Sequence, residues 1–250
     1  MQTTIKIVTI FQLCFICNIL NAQEKDKPVV TQKNNVLKIN LPALAFKNIS
    51  VQYERKVSKR ISIAANVHAI PYGSLPFQSA FKNVGNNSDV QYDQFKLGSF
   101  GLIPELRFYV GRKGALHGFY IGPFVSYSNY KVDLPINYSN NSKTGIFSGA
   151  LNTITGGLQI GSQFSLGKHI VLDWWILGPN YGSETGTFSF TGALSPSDQS
   201  DLSNQLASVK SDAPFNAIQS YSVSSTGASL TTKSPWGGLR GGGFNFGFRF

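Results

Sequence analysis

The feature that most constrains this chain is a two-residue alternation of apolar and polar side chains, sustained over segments of about 9–14 residues. Two is the side-chain period of a β-strand, so each segment has one apolar and one polar face. The last is the clearest, with Phe244, Phe246, Phe248 and Phe250 alternating with Gly243, Asn245, Gly247 and Arg249. Ile49, Val51 and Tyr53 likewise oppose Ser50, Gln52 and Glu54, and Leu102, Leu106 and Phe108 oppose Gly101, Glu105 and Arg107. Leu158 and Ile160 stand against Gly157, Gln159, Gly161 and Gln163. Eight such segments are expected as strands: Val36–Leu44, Asn48–Lys56, Arg60–Ala69, Ser99–Val110, Gly118–Tyr130, Thr153–Leu166, His169–Gly178 and Leu239–Phe250. Strands this long suit a tilted membrane barrel, which needs about 9–11 residues, better than a soluble sheet with its usual ~5–6.

A soluble β-sandwich also alternates, and it stays open as a rival reading. Two features favour the barrel. Charges fall in mid-strand on the polar faces, at Glu54, Glu105, Arg107, Asp173 and Arg249, where they can pair as a polar network in a narrow lumen. The connections also sort by parity. With a periplasmic N-terminus, Val57–Lys59, Gly111–His117 and Gly167–Lys168 are short turns, while three of the four outer connections, Ile70–Gly98, Lys131–Asn152 and Pro179–Gly238, are long and only the first, Ala45–Lys47, is short. Short turns at one end and long loops at the other are the outer-membrane pattern. The fold expected is therefore all-β, an eight-stranded antiparallel transmembrane barrel over residues 36–250.

The beginning of the chain agrees with export. Lys6, the apolar run Ile7–Leu20 and the small Ala22 read as a signal peptide over residues 1–22, leaving 23–35 as an N-terminal periplasmic segment. That run is about 14 residues where a spanning helix needs ~20. Both cysteines, Cys14 and Cys17, fall inside it, so a mature chain has neither disulfide nor zinc-thiolate chemistry. The net charge of +10 would suggest nucleic acid in a cytoplasmic protein. In an exported one, the basic turn residues Lys56, Lys59, Arg60, Arg112, Lys113 and Lys168 have anionic lipid headgroups as partners instead. Ordinary solvated turns account for them equally well. Tyr109, Phe119, Tyr120, Tyr127, Tyr130, Trp174 and Trp236 lie near strand ends, as girdle residues at a lipid–water boundary do, and core packing is the rival explanation for each.

The connection 179–238 is too long to be structureless. Ser195-Pro196-Ser197-Asp198 reads as an N-cap, a first-turn proline and a first-turn acid. Leu202, Leu206 and Val209 then recur at helical spacing, so a short amphipathic helix is expected there, with Thr185–Thr191 and Gln219–Lys233 as strand extensions. This segment reads as a structured outer cap, either a lid or a surface for an extracellular partner.

The terminal strand with Phe246, Phe248 and Phe250 resembles the carboxy-terminal signal read by the barrel-assembly machinery. The stretches Asn35–Asn40, Ile49–Glu54 and Gly118–Pro123 resemble an uncharacterised domain-of-unknown-function family of small outer-membrane barrels. That resemblance implies a fold and an outer-membrane address, and it carries over no active-site residue.

Catalytic chemistry is not legible. His68 is the one histidine at an outer strand end, and its same-face downstream neighbour is Ile70, not serine; His117 and His169 flank turns. No spacing suits a metal beyond the loose pair Asp89 and Asp93, and no cofactor motif is present. The expectation is a monomeric, non-enzymatic outer-membrane barrel in contact with outer-membrane lipids, with a structural or surface-interaction role. A lipid-modifying enzyme, a narrow channel and a periplasmic sandwich that binds a ligand remain alternatives.

Overall fold

The computed structural model describes residues 33–76, 94–138, 143–211 and 217–250. Its elements run β1 (Asn35–Asn40), α1 (Leu41–Leu44), β2 (Ile49–Lys56), β3 (Ile61–Ser74), β4 (Lys96–Tyr109), β5 (Gly118–Tyr138), β6 (Lys143–Leu166), β7 (Ile170–Leu177), β8 (Pro179–Thr191), α2 (Pro196–Ser211), β9 (Ile218–Ser224), β10 (Gly227–Leu239) and β11 (Gly243–Arg249). The proposed signal peptide and the Asp89/Asp93 pair lie outside the described residues.

β1 to β7 pair each with the next, β7 pairs with β11, and β11 returns to β1. Every pairing is antiparallel, so eight strands close into a barrel. Closure removes the free edges that an open sheet would present. The seam joins Val36 to Arg249 and Asn40 to Asn245.

Burial is inverted relative to a soluble protein. Leu158 is 45% exposed and Phe246 41%, whereas Arg107 is fully buried and Lys38 is 1% exposed. The apolar set on each strand faces out and the polar set faces in. On β5 the outward apolar positions run from Phe119 to Tyr127, after which Asn129, Lys131 and Asp133 follow on the same face. That run is about 27 Å of strand, or ~21 Å along the barrel axis at a tilt of ~40°, close to the ~25 Å apolar band of membrane barrels.

The strands do not stop at the belt. β6 pairs with β7 at its lower end and with β8 above, with one register shift at Ile160/Gly161, so β7 and β8 form one rising line. β10 and β11 keep a single register against that line, with Leu239 opposite Pro179 and Gly243 opposite Trp175. Four barrel strands are therefore tall, and β9 adds to β10 at the edge of the upper sheet.

Above the belt the two faces exchange character. On β8 and β10 the outward positions become Ser183, Thr185, Thr187 and Ser189, and Ser229, Thr231 and Lys233. Inward positions become Phe188, Phe190, Ala228 and Leu230, which join Phe147, Tyr138 and Ile218 in an apolar core. α2 covers it with Leu202 and Leu206. Its N-terminus is a reciprocal cap: Ser195 Oγ accepts from Asp198 N (3.2 Å), and Asp198 Oδ2 accepts from Ser195 N (3.1 Å). Asp198 is also paired with Lys143 at 2.7 Å.

Several boundaries differ from the sequence reading. The strand expected over Val36–Leu44 ends at Asn40, because Pro42 cannot donate to a ladder and Asn40 Oδ1 instead caps α1 through Ala43 N (3.0 Å). Lys131–Asn152 is chiefly strand rather than loop, and 179–238 is a tall hairpin with its own core. The helix is where the cap signal placed it, although Val209 is half exposed rather than packed.

Candidate functional site in the barrel interior

The inward parity of β1 to β7 converges on a buried ion network in the half of the barrel nearer the short turns. Arg107 on β4 is its centre. Its guanidinium bonds Glu105 Oε1 at 2.8 Å, Asp173 Oδ2 at 2.7 Å, Glu54 Oε2 at 3.2 Å and Gln52 Oε1 at 3.1 Å. It also stands over the Tyr120 ring, 4.2 Å from the centroid. Lys38 on β1 donates to Glu54, to Asp173 at 2.6 Å and to Gln163 at 3.0 Å. Tyr120 donates to Asp173 Oδ1 at 2.9 Å, and the Tyr109 hydroxyl lies 2.6 Å from Glu54 Oε1. Gly161 makes this possible, since a Cβ there would overlap the Tyr120 hydroxyl. Arg240, between β10 and β11, completes the set by donating to Glu105 Oε2 at 2.8 Å.

Three carboxylates (Glu54, Glu105, Asp173) thus meet three cations (Lys38, Arg107, Arg240), and the network has no formal net charge. Buried ions cost several kcal/mol each to desolvate, on the order given for real proteins, so only mutual pairing makes such an interior tolerable.

Of the five charged residues the alternation singled out, four meet here. Arg249 does not: it donates to Leu116 O near the short turns and is not ion-paired with these carboxylates. Tyr109 and Tyr120, expected as girdle aromatics, are buried lumen residues, because their strand parity points inward. Phe119 and Tyr127 face outward with 43% and 48% exposure, while Tyr130 and Trp236 line the interior.

On the tall-strand side of the network lies a cavity of about 290 Å³. Its wall is built from short polar side chains, including Asn48, Asn66, Ser128, Thr155 and Asn180. Its aromatic members are Phe124, Trp175, Tyr130 and Trp236, and the rings of the last two lie 6.1 Å apart. Arg240 also lines it, with its guanidinium 3.9 Å from the Trp175 ring centroid and 5.2 Å from that of Phe124. His68 and Ser128, sixty residues apart, approach to 3.5 Å here (Nε2 to Oγ) across β4 at Gly101. Sequence spacing could not pair them, since the pairing depends on the register of β3, β4 and β5. Among the described residues His68 is hydrogen-bonded to Ser128 and to no carboxylate. Among the described residues no cluster of acids, histidines or cysteines could hold a metal.

These features define a closed, eight-stranded antiparallel barrel with a polar, ion-paired interior and an apolar outer belt. The chain belongs to the family described as a protein of unknown function (DUF3575), whose model matches residues 8–182. The match ends within β8, before α2, β9, β10 and the closing strand. No curated protein and no solved structure matches the chain.

Proposed function

We propose that this protein is an outer-membrane barrel that holds a folded cap above the cell surface and works there by binding rather than by catalysis. One observation carries the reading: an outward apolar belt about as tall as the apolar band of membrane barrels, with the faces exchanging character above it on β8 and β10. In water, outward Leu and Phe beside buried Arg and Lys would be unfavourable on both counts. In lipid, the same arrangement places the apolar surface against acyl chains, and the level of exchange marks where strands pass from lipid into water. The turn end then faces the periplasm, with Lys59, Arg60, Arg112, Lys113 and Lys168 at headgroup level.

The non-enzymatic part rests on where the polar chemistry lies. The His68–Ser128 pair faces the lumen, away from any lipid substrate, and has no orienting acid among the described residues. The ion network speaks against a channel, because it fills the cross-section at Arg107 with mutually bonded side chains.

The test is flotation of the refolded full chain with phospholipid vesicles, together with gel mobility in mild detergent with and without boiling. Co-flotation and a heat-dependent shift are expected. A protein that stays in the soluble fraction and shows no shift would overturn the membrane reading.

A further inference from the structure

We propose that the cavity above the ion network is a binding site for a neutral sugar, of the size of one monosaccharide ring. The inference goes beyond the membrane reading and does not depend on it, since the cavity belongs to the closed barrel in detergent as in lipid.

The argument starts from the chemistry of the wall. Asn, Ser, Thr and His side chains make up most of it, each able to donate and accept hydrogen bonds without formal charge. A sugar presents the matching inventory, hydroxyls that donate and accept around a ring whose C–H faces are apolar. The side of the cavity bearing β5 and β10 supplies the complement to those faces in Tyr130 and Trp236. Aromatic rings with a polar edge recur in sites where one face of a ligand is apolar and the other wet.

Charge narrows the class further. No Asp or Glu lines the cavity and Arg240 does, so the formal charge on the wall does not favour a cation. The one formal charge on the wall, Arg240, is already matched by Glu105 at 2.8 Å, so a second anion would be surplus. A neutral ligand leaves the three-against-three balance of the network intact.

Size sets the limit. At about 290 Å³ the cavity lies at the small end of the ~300–1,000 Å³ typical of ligand pockets, which suits one ring and not a chain. A free monosaccharide and the terminal unit of a surface glycan share this chemistry.

The experiment is isothermal titration of the full chain, refolded in a zwitterionic detergent because glycoside detergents would compete. The probes are glucose, galactose, mannose, N-acetylglucosamine and their methyl glycosides, with glucuronate and inorganic phosphate as charged comparators. Saturable binding of at least one neutral sugar is expected. Trp236→Ala and Thr155→Val should each weaken it by about tenfold or more, equal to ~1.4 kcal/mol. Both variants should keep the heat-dependent gel shift, so weaker binding would not reflect a lost fold. Binding of the methyl glycoside as well as the free sugar would point to a glycan terminus, and loss on methylation to the free sugar; either supports the site. Three results would overturn it: no neutral sugar bound up to about 50 mM, far weaker than the ~1 mM that corresponds to −4.1 kcal/mol; phosphate or glucuronate bound in preference; or sugar binding unchanged by both substitutions.

Discussion

Removing the cation at the centre of the lumen gives the sharpest check on the ion network. Arg107→Met keeps much of the side-chain volume and deletes the charge. Glu54, Glu105 and Asp173 would then face only Lys38 and Arg240, leaving one uncompensated buried negative charge. Breaking a buried pair by removing one partner costs about 3–5 kcal/mol, which lowers the folding equilibrium constant by about 150- to 5,000-fold. Adding Asp173→Asn to Arg107→Met returns the interior to two cations and two carboxylates. The double variant should recover stability, ending within ~1–2 kcal/mol of the parent if charge balance matters more than shape. The assay is equilibrium urea unfolding of the barrel refolded in vesicles, read by the heat-dependent gel shift and by tryptophan emission. An Arg107→Met cost under about 1 kcal/mol would refute the view that the network is dry and tightly coupled. So would a double variant whose loss equals the sum of the two single losses.

Three further outcomes follow from the same structure. Leu158→Arg, on β6 opposite Pro123 near the middle of the apolar belt, should cost about 2–4 kcal/mol in vesicle unfolding, while Ser148→Arg on the same face above the belt should cost under ~1; equal costs would remove the lipid boundary. His117, in the turn before β5, is held neutral down to a pKa of about 4 by its burial and by Lys113 and Arg249. The unfolded chain takes up that proton near pH 6.5, so stability should be full above this and fall as the pH drops towards 4. The ~3.4 kcal/mol that 2.5 pH units imply is discounted to ~1–2 for this partly exposed ring; His117→Gln should flatten that limb of the profile and leave the neutral region unchanged. In the cap, Asp198→Ala removes both the reciprocal bond to Ser195 and the Lys143 pair, so proteolysis within 196–211 should accelerate while the barrel keeps its gel shift.

The barrel was legible because its outward and inward faces differ so strongly that period two survives along every belt segment. The ion network was readable in part: Glu54, Glu105, Arg107 and Asp173 share a parity opposite to their apolar neighbours. Lys38 carries the same signal, between Leu37 and Ile39, in a strand only six residues long. Arg240 carries none, lying in a glycine-rich break between β10 and β11, and only the continuous register of those strands turns it inward. The height of the strands was missed for a physical reason. Above the belt both faces change role, Ser and Thr facing out and Phe facing in, so a rule tuned to an apolar exterior sees loop. α2 was legible because its cap is local chemistry. The cavity was not, since its wall is assembled from residues on many separate strands.

The ion network also bears on how the chain reaches this state. Lys38 belongs to the first strand and touches the second at Glu54, and on the far side of the seam it reaches Gln163 and Asp173 on β6 and β7. No partly zipped sheet can satisfy it in full, because Gln163 and Asp173 come within reach only once residues near the two ends of the barrel meet at Val36 and Arg249. The pairs to Asp173 therefore arrive together with closure, after most of the loop entropy has been spent, and little of their free energy rewards an earlier stage. A sheet that stopped short would keep its charges wet and its seam open. The interior thus works as an end-of-assembly test, one that a truncated or mispaired chain fails because the lysine of its first strand keeps Glu54 but lacks Asp173 and Gln163.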